Sequence, residues 1–537
     1  MTNGPTAVDG IDVNGKRIVL FDGWLATLGG GERQVLSAAS ALRELGTVSV
    51  VSHCPLPRSA VVDWAGIDLH GIDFRFMPER PQLTGREVAG DADLFINGTH
   101  LSLVDGRGLP SIRFVYFSAR RSSTAWRVVG NALRGIGRGL GVAHERSGWF
   151  GTEAHRGALF RQSDGDGRIA VRGGARVRFW LSAMSHDDRT YTIATNSGNV
   201  LVEGRAGAKG DFAPSPWVDV PTGCRELAIR SAASGGTNRW EGRQLGLGLG
   251  SIEERGALPR DIYQRMTRRL IPKLAYCAGD DHAARYSDAL RSFDAVTPNS
   301  HFTAAWLRRR WGVTGPVIEP PVVADARRAT ATREPLIVSI GRFFVGGHNK
   351  KHLAMVRAWR ALCDRGLVGW RLALVGGVGQ RPVDAAYLRQ VESEASGLPI
   401  DMYPNADEAT VRDLRAQASI AWHAAGFGES ERRVPERFEH FGMAVAELMM
   451  SGAVPVVFDG GGLCEIVEQG RSGFRWRTLD ELVAATLTLV RNGRRRAAMS
   501  EAARQRAERW SQANYQRRIV ELARDVMTRN QGASALR

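Results

Sequence analysis

The sequence has few cysteines, and it has no long apolar run. The five cysteines lie far apart and form no CxxC pair. This pattern is typical of free thiols in a reducing compartment, and it disfavours both a disulfide framework and a zinc site. No stretch reaches the roughly 18 apolar residues of a membrane span, and the polar amino terminus predicts no signal peptide. We therefore expect a cytoplasmic protein without a metal site.

Lysine is also scarce, although the chain is strongly basic. Only five lysines accompany a net charge of +16, so arginine carries nearly all of the positive charge. A basic balance favours anionic partners such as phosphates, acidic lipids or nucleic acid, and a solvated basic surface explains it equally well. Because no nucleic-acid reading element is recognisable, we expect no nucleic-acid partner.

Length and patterning predict several domains, since the 537 residues exceed what one hydrophobic core organises. Short apolar strands alternate with helical patterns in residues 1–148 and 256–322, and again in 333–490. This alternation is typical of parallel βαβ units. Between 149 and 255 the pattern changes to alternating strands separated by glycines and turn dipeptides. That change predicts an antiparallel β-sandwich inserted into the first α/β domain.

The remaining segments connect and end these domains. An unpatterned stretch at 320–335 reads as the linker between two α/β halves, and arginine-rich helices are predicted at 491–537. In open parallel sheets, ligands bind beyond the carboxyl ends of the strands. The cleft between the halves is therefore the expected binding site.

A cationic pair stands at a strand-to-helix junction of the second half. The stretch SIGRFFVGGHNKKHLAM places Arg342 after a strand and Lys350 and Lys351 before a helix. Cations at a helix start oppose the helix dipole unless an anion is near. Lysine offers a compact charge to a phosphate, and arginine grips it through two nitrogens. We predict that Arg342 and Lys350 hold a pyrophosphate.

The stretch PERFEHFGMAVAELMM adds two carboxylates and a helix start. Glu447 lies on a very apolar helix, where a carboxylate is either hydrogen-bonded or driven neutral. Sugar hydroxyls are suitable hydrogen-bond donors, so Glu447 is predicted to bind a ribose. Until the substrate that carries the ribose binds, the Glu447 carboxylate is expected to lack good hydrogen-bond partners. The alternative is a buried acid paired to a core arginine. Glu439 precedes the helix and is predicted to face a sugar, and the amides of Phe441 to Met443 are unpaired donors.

Glycine turns stand opposite each other in the two halves. Gly29, Gly30 and Gly31 separate a strand from a helix, where glycine lets backbone approach an anion at the helix start. The DGGG stretch, which includes Gly461 and Gly462, predicts a second nest of open amides. A tight connection without a ligand explains a lone glycine turn equally well.

In these residues the second half resembles the donor domain of retaining glycosyltransferases of family 4, which have the GT-B fold. The resemblance lies in the E-x7-E element Glu439–Glu447, the EHFG run, GRF…K and GG…EIV. It extends to GGGER near the start and to AVTPNSHFTAAWL, which begins at Ala295, and it leaves out the predicted β insert. It implies an α/β fold of two Rossmann-like domains facing a cleft.

The resemblance also implies an activity. It implies a nucleotide-diphosphate sugar as donor, no required metal or other cofactor, and retention at the anomeric carbon, by a front-face route or a covalent intermediate. Arg342 and Lys350 would stabilise the departing phosphate, and Glu447 would bind the ribose. Glu439 would hold the donor sugar and would be a catalytic residue together with Arg342 and Lys350. Further donor-binding positions would be Gly30, Gly31, Phe441, Gly442, Met443, Gly461 and Gly462.

One departure concerns the acceptor side. Many relatives carry a histidine in a Y-x-H-x-P pattern after the fourth strand, whereas this chain has Tyr116 at that position and Ser118 at the proline position. Tyr116 and His100 are the acceptor-side candidates. The main reading is a glycosyltransferase acting on a glycan or lipid-linked acceptor of the cell envelope. The alternative is a non-catalytic sugar-binding or scaffold protein that kept the fold. A glycosidase with two carboxylates would not need the cationic pair.

Two segments have roles that the sequence leaves open. Apolar residues at helical spacing in 125–141, with interspersed arginines, predict either contact with an acidic membrane surface or a helix packed on its domain. The first of these would place the protein peripherally at the inner face of the plasma membrane. The β insert weakly resembles jelly-roll modules of bacterial glycan-synthesis enzymes, through WEGRQLGLGLGSIE. Scaffolding, acceptor binding and oligomerisation are all open roles for it.

Overall fold

The computed structural model describes most of the chain. The described residues are 15–55, 61, 66–119, 129, 132–133, 135–137, 139–155, 158–184, 190–235, 243–255, 262–263, 282–322, 333–347, 349–379 and 381–535. The predicted basic helix over 125–141, the helical pattern after 255 and the linker at 320–335 fall wholly or partly outside these residues.

The chain begins with parallel βα units, as the alternating pattern predicted. The strands are β1 (Lys16–Phe21), β2 (Gly46–Ser52), β3 (Asp73–Phe76), β4 (Leu94–Asn97) and β5 (Ser111–Val115), with helices α1 (Gly30–Leu42) and α2 (Gly85–Ala89). β1 pairs in parallel with both β2 and β4. Every residue of β4 and β5 is buried, as expected for parallel strands covered on both faces.

Antiparallel strands occupy the middle of the chain. They are β6 (His144–Glu145), β7 (Trp149–His155), β8 (Ala158–Ser163), β9 (Asp166–Ala170), β10 (Arg176–Ser182), β11 (Thr190–Thr195), β12 (Val200–Arg205), β13 (Ala213–Pro214), β14 (Val218–Asp219), β15 (Glu226–Ser231), β16 (Ser234–Gly235), β17 (Gln244–Leu245) and β18 (Gly248–Arg255). One sheet has the order β13-β10-β18-β8-β7, with β14 beside β10, and a second has the order β12-β11-β15-β9-β6.

The two antiparallel sheets bury apolar residues against each other. Val177, Phe179 and Leu181 alternate inward along β10 and share one core cluster with Ile193 and Ile229 of the other sheet. This is sheet-on-sheet packing, and it follows from the period-two pattern in the sequence. The antiparallel unit begins with β6, before the predicted boundary at residue 149. The sequence did not indicate β6, because a strand of two residues is too short to show alternation. We call the unit from β6 to β18 the β insert.

The chain then completes the first parallel sheet with α3 (His282–Arg291), β19 (Ala295–Pro298) and α4 (His301–Trp311). The strand order is β19-β5-β4-β1-β2-β3, and β19 pairs in parallel with β5. This is the order of a doubly wound sheet, whose carboxyl edge carries ligands.

The second α/β domain repeats that order. Its elements are β20 (Leu336–Ile340), α5 (His352–Asp364), β21 (Arg371–Gly376), α6 (Pro382–Ala395), β22 (Ile400–Pro404), α7 (Glu408–Gln417), β23 (Ile420–His423), α8 (Met443–Met450), β24 (Val454–Phe458), α9 (Leu463–Ile466), β25 (Phe474–Trp476), α10 (Leu479–Arg491) and α11 (Gly493–Ala507). The parallel strands run in the order β22-β21-β20-β23-β24-β25. Strands β23 and β24 are buried throughout.

The last helix, α12 (Gln512–Ala535), returns to the first domain. Ile519 and Ala523 join the first-domain core beside Val35 and Leu36 of α1. The hydroxyl of Tyr515 donates a 3.0 Å hydrogen bond to the carbonyl of Gln34. The sequence predicted helices here, but an apolar helix face does not reveal the domain against which it packs. Among the described helices, none is both long and apolar enough to cross a membrane.

Candidate active site

The glycine turn after β1 contacts the second domain. A Cβ atom at Gly30 would lie only 2.6 Å from Met443 Sδ, and one at Gly29 would lie 3.4 Å from Arg342 Nη2. The amide of Gly29 donates to Glu32 Oε2 at 2.8 Å, which fixes the start of α1. A side chain at position 30 would displace the Met443 side chain from this contact between the domains. The predicted glycine turn therefore does lie at the cleft.

Arg342 is exposed in that cleft. Within the part of the chain that the structure describes, its guanidinium has no hydrogen bond or ion pair. The neighbouring Gly341 leaves room for the stem of Lys350, since a Cβ at Gly341 would lie 2.4 Å from Lys350 Cγ. The stem of Lys350 therefore packs beside the backbone next to Arg342, and the donors of Arg342 are available to an anion.

Lys350 is ion-paired with Glu439, so two of the predicted catalytic residues meet directly. His423, at the end of β23, places its Nε2 3.0 Å from the same oxygen of Glu439. The His423 Nδ1 accepts from the amide of Ala425 at 3.3 Å, so Nε2 carries the proton and donates to Glu439. Burial lowers the pKa of His423 although Glu439 opposes this, which keeps the ring neutral. Sequence reasoning missed His423 because a histidine in a buried strand resembles a core residue.

The start of α8 offers open amides. Gly442 has φ +112°, a left-handed conformation that favours glycine, and it precedes the first helical residue, Met443. Among the described residues, no hydrogen bond is made by the amides of Phe441, Gly442 or Met443. The side chain of Met443 lies against Gly30, so α8 begins near the same glycine turn that Arg342 borders. This agrees with the prediction of unpaired donors at that helix start.

Glu447 is buried between two arginines. Its Oε1 accepts from Arg33 Nη1 at 2.8 Å, and its Oε2 accepts from Arg415 Nη1 at 2.7 Å. Arg415 in turn pairs with Glu408 at 2.7 Å. The prediction that Glu447 lacks partners until a ribose arrives is wrong. The alternative, a buried acid paired to arginine, is the arrangement that the structure shows. Arg33 stands 414 positions away, so local patterning gives no signal of the pair. Ribose binding by Glu447 stays a prediction.

The DGGG turn packs on backbone. The amide of Gly462 donates to the carbonyl of Glu439 at 2.8 Å, and that of Gly461 donates to Glu431 Oε2 at 3.1 Å. A Cβ at Gly462 would lie 2.2 Å from the carbonyl oxygen of His440. The predicted second nest of open amides is therefore wrong, because the Gly462 amide is used by the backbone at Glu439 and the Gly461 amide by the Glu431 carboxylate. Contact of these glycines with donor phosphates stays a prediction.

Tyr116 anchors the first glycine turn. Its hydroxyl donates to the carbonyl of Gly31 at 3.0 Å, and a Cβ at Gly31 would lie 2.9 Å from the ring. Burial raises the pKa of Tyr116 well above 10, and the negative charges of Asp22 and Glu32 add to this. The hydroxyl therefore stays protonated at neutral pH and is poorly suited to act as a base. His100, the other acceptor-side candidate, is exposed, with its ring centre 6.2 Å from that of Tyr116.

Residues of the EHFG and EIV runs join the second domain to α4 of the first. Ser300 Oγ donates to the carbonyl of His440 at 2.6 Å. The carboxylate of Glu465 accepts from the amides of His301 at 2.9 Å and Phe302 at 2.6 Å. The ring of His440 stacks on Phe117 at 4.1 Å between centres. These contacts hold the two domains together directly beside Glu439 and the α8 amides.

Comparisons with known proteins agree with this architecture. Residues 324–506 match the family model described as Glycosyl transferases group 1. Sucrose-phosphate synthase from Thermosynechococcus elongatus is similar in structure at a TM-score of 0.50 and 12% identity, over 96% of this chain and 99% of that one. Anabaena HepE in complex with UDP is similar at a TM-score of 0.50 and 12% identity, over 95% and 100%. The chain therefore has the GT-B glycosyltransferase fold, and the match to the group 1 model falls on its second α/β domain.

Two curated relatives share part of the sequence. Both are named GDP-Man:Man(3)GlcNAc(2)-PP-Dol alpha-1,2-mannosyltransferase. The protein from Dictyostelium discoideum is 23% identical over 248 residues, which cover 43% of this chain and 46% of the relative. The protein from Xenopus laevis is 24% identical over 210 residues, which cover 36% and 40%. The match thus spans less than half the length of these relatives.

Metal coordination has no candidate ligands in the described ranges. No group of three or more His, Cys, Asp or Glu side chains there is arranged to hold an ion. Independence from metal stays a prediction.

Proposed function

We propose that this protein is a retaining glycosyltransferase that moves a hexosyl group from a nucleotide-diphosphate sugar to a glycan or lipid-linked acceptor of the cell envelope. One observation carries the proposal. The guanidinium of Arg342 lies against Gly29, and the side chain of Met443, the residue that begins α8 with its open amides, lies against Gly30. A cation and helix-start amides that share one glycine turn suit a diphosphate.

The same groups suit the chemistry of departure. When the bond between the sugar and the diphosphate breaks, negative charge develops on the leaving phosphate. Fixed donors aimed at developing charge are the largest single contribution in many enzymes. Lys350 is paired with Glu439, so it links the phosphate side of the site to the carboxylate that we propose for the donor sugar.

Glu439 is held in a defined position. Lys350 and the neutral ring of His423 both donate to its Oε2, which fixes the direction of the carboxylate. We propose that the Glu439 carboxylate, held in this way, accepts hydrogen bonds from hydroxyls of the donor sugar. Retention at the anomeric carbon is proposed from the resemblance of the E-x7-E element.

The donor base is proposed to be guanine or uracil. The curated relatives are named as enzymes of GDP-Man, and one similar structure holds UDP. Thermal unfolding with GDP and with UDP tests both. A nucleotide at 100 times its dissociation constant should stabilise the protein by about 2.7 kcal/mol.

Two variants make this test specific. Arg342→Ala should weaken the binding of whichever nucleotide, GDP or UDP, stabilises the wild-type protein. The loss should be on the order of 10-fold, as expected for loss of a charge-assisted hydrogen bond. Arg357→Ala is the control, because Arg357 is an exposed arginine of α5 in the same domain. Release of the nucleotide from GDP-mannose or UDP-glucose, with the hexosyl group passing to water or to an added sugar hydroxyl, then tests catalysis. If neither nucleotide stabilises the protein, the proposal fails; if nucleotide binds without turnover, the non-catalytic alternative holds.

A further inference from the structure

A cavity of about 800 Å³ lies between the first α/β domain and the β insert. The first domain contributes loops that follow β1, β3 and β4, at the carboxyl edge of its sheet. The β insert contributes the opposite wall through Trp149, Phe150, Gly151 and Arg161. The volume is in the range of small-molecule sites.

An irregularity in the β insert shapes this wall. In the pairing of β7 with β8, Trp149 stands opposite Ser163 and Thr152 stands opposite Arg161. Two residues, Phe150 and Gly151, therefore face a single residue on β8, which is a β-bulge. Bulges bend a strand and redirect its side chains, often beside active sites. Both bulged residues line the cavity.

The wall is fixed by contacts on its far side. The indole N–H of Trp149 donates to the carbonyl of Arg168 at 3.0 Å. The guanidinium of Arg243 lies 5.3 Å from the ring centre of Phe150, and Arg243 is paired with Glu153 at 2.5 Å. A wall held in this way loses little conformational freedom when a ligand binds.

The β insert is attached to the first domain at the cavity itself. Gln82 Nε2 donates to the carbonyl of Arg146 at 3.2 Å, and the backbones of Glu79 and Arg243 form an isolated bridge. Glu79 and Gln82 both line the cavity. The position of the insert wall is therefore set by the loop after β3.

The cavity adjoins the donor site. Trp24, Thr27 and Glu32 line it, and Glu32 accepts the amide of Gly29. Gly29 lies against Arg342. A ligand in the cavity would thus approach the groups that we propose for the donor from the side of the first domain.

We infer that this cavity binds the acceptor and that the β insert selects a saccharide carrying an anionic group, either a carboxylate or a phosphate. This inference rests on the proposed function. Among the residues that the insert contributes to the lining, Arg161 alone is charged, and the others are apolar. A guanidinium recognises carboxylate and phosphate through two parallel hydrogen bonds.

The other walls suit the rest of such a ligand. Arg80 and Arg285 of the first domain also line the cavity and add positive charge. Glu32 and Glu79 supply acceptors for sugar hydroxyls. The exposed Trp24, at 40% relative exposure, and Phe150 supply apolar surface for the faces of sugar rings.

Matched probes test the charge preference. Wild-type protein is titrated calorimetrically, with and without GDP and UDP, with p-nitrophenyl β-D-glucoside, the corresponding glucuronide and the glucoside 6-phosphate. At least one anionic probe should bind on the order of 10-fold tighter than the neutral glucoside, as for one charge-assisted hydrogen bond. The tighter of the two identifies carboxylate or phosphate as the preferred group.

Substitutions at Arg161 test whether the preference for anionic probes comes from the β insert. Arg161→Gln should remove it, and Arg161→Lys, which keeps the charge, should retain much of it. Arg205→Gln is the control, because Arg205 is an exposed arginine of the second insert sheet outside the cavity lining. Equal binding of neutral and anionic probes, no binding of any probe, or an unchanged preference in Arg161→Gln would overturn the inference. Since nucleotide binding is measured in the same titrations, failure of the proposed function would be seen separately.

Discussion

Arg33 and Glu447 form a 2.8 Å ion pair that joins α1 of the first domain to α8 of the second. The same carboxylate also accepts from Arg415 of its own domain at 2.7 Å. The side chains of all three are at most 11% exposed, so the charges lie largely out of water. Glu447 therefore links the two halves of the cleft in this state.

Glu447→Gln should destabilise the protein, because Glu447 is paired to two arginines and is not a carboxylate without partners. Removing one partner leaves two arginines without their shared countercharge, and breaking a buried pair in this way costs about 3 kcal/mol. Thermal or urea unfolding measures the loss. The control is Glu408→Gln. Glu408 also pairs with Arg415, but the Glu408 side chain is 33% exposed, so this substitution should cost less than about 1 kcal/mol. Equal losses in both variants would contradict the importance of the buried pair.

Arg33→Ala should increase affinity for the nucleoside diphosphate that binds. If the ribose hydroxyls use Glu447, they compete with Arg33 for Oε1, and removing Arg33 should strengthen binding by about 3- to 10-fold. Arg415 still neutralises the carboxylate, so folding should be retained. Calorimetric titration compares the nucleotide with its 2′,3′-dideoxy form. The gain should disappear for the dideoxy form, and the same gain for both would show that Glu447 does not bind ribose.

The architecture follows from short-range patterning. Runs such as Leu94–Asn97 and Val454–Phe458 are buried on both faces, and their continuous apolar character is visible in sequence. The same is true of the alternation along β10. Helix-start amides at Phe441 to Met443 could also be predicted, because the first amides of any helix lack intrahelical partners.

The partners of the charged residues could not be predicted in this way. Glu447 was identified as a buried acid, but its arginines come from α1 and α7, far along the chain. Tyr116 was identified by its position in a motif, whereas its hydrogen bond to Gly31 depends on the fold. His423 and the bulge at Phe150 carry no periodic signal. Such pairings depend on tertiary placement, which local spacing does not encode.

Lys350→Ala should lower turnover on the order of 100-fold or more, because it removes a fixed cation from the developing charge of the leaving phosphate. Lys351→Ala is a matched control. Lys351 is adjacent in sequence but pairs with Glu429 at 2.6 Å, outside the contacts that surround Glu439. Steady-state rates of nucleotide release measure both. A similar loss in both variants would indicate a structural effect, and full activity of Lys350→Ala would contradict its assignment.

Tyr116→Phe should affect stability more clearly than chemistry. The variant loses the hydrogen bond to Gly31, which should cost about 1 kcal/mol. Turnover should fall less than 10-fold, about 1.4 kcal/mol at most, because the raised pKa of Tyr116 makes it a poor base at neutral pH. Unfolding curves and the pH profile of turnover measure the two effects. Loss of an ionisation from the profile would instead identify Tyr116 as a catalytic base.

His352, at the start of α5, should make the protein sensitive to acid. Burial, with the positive charge of Lys350 adding to it, lowers the pKa of His352 from its usual 6.5 to about 3. Below about pH 6.5, His352 therefore binds a proton in the unfolded chain but stays neutral in the folded protein. The contribution of His352 to the free energy of unfolding falls as pH falls below 6.5 and is constant above 7. Between pH 7 and pH 5 this difference is worth about 2 kcal/mol.

The test compares unfolding of wild type and variants at both pH values. His352→Leu keeps an apolar side chain against Phe343, whose ring centre lies 4.3 Å from that of His352, and it removes the titrating group. The variant should therefore lose about 2 kcal/mol less than wild type on acidification. His70→Gln is the control, because His70 is an exposed histidine and should leave the acid sensitivity unchanged. An equal loss in wild type and His352→Leu would show that other groups govern the acid response.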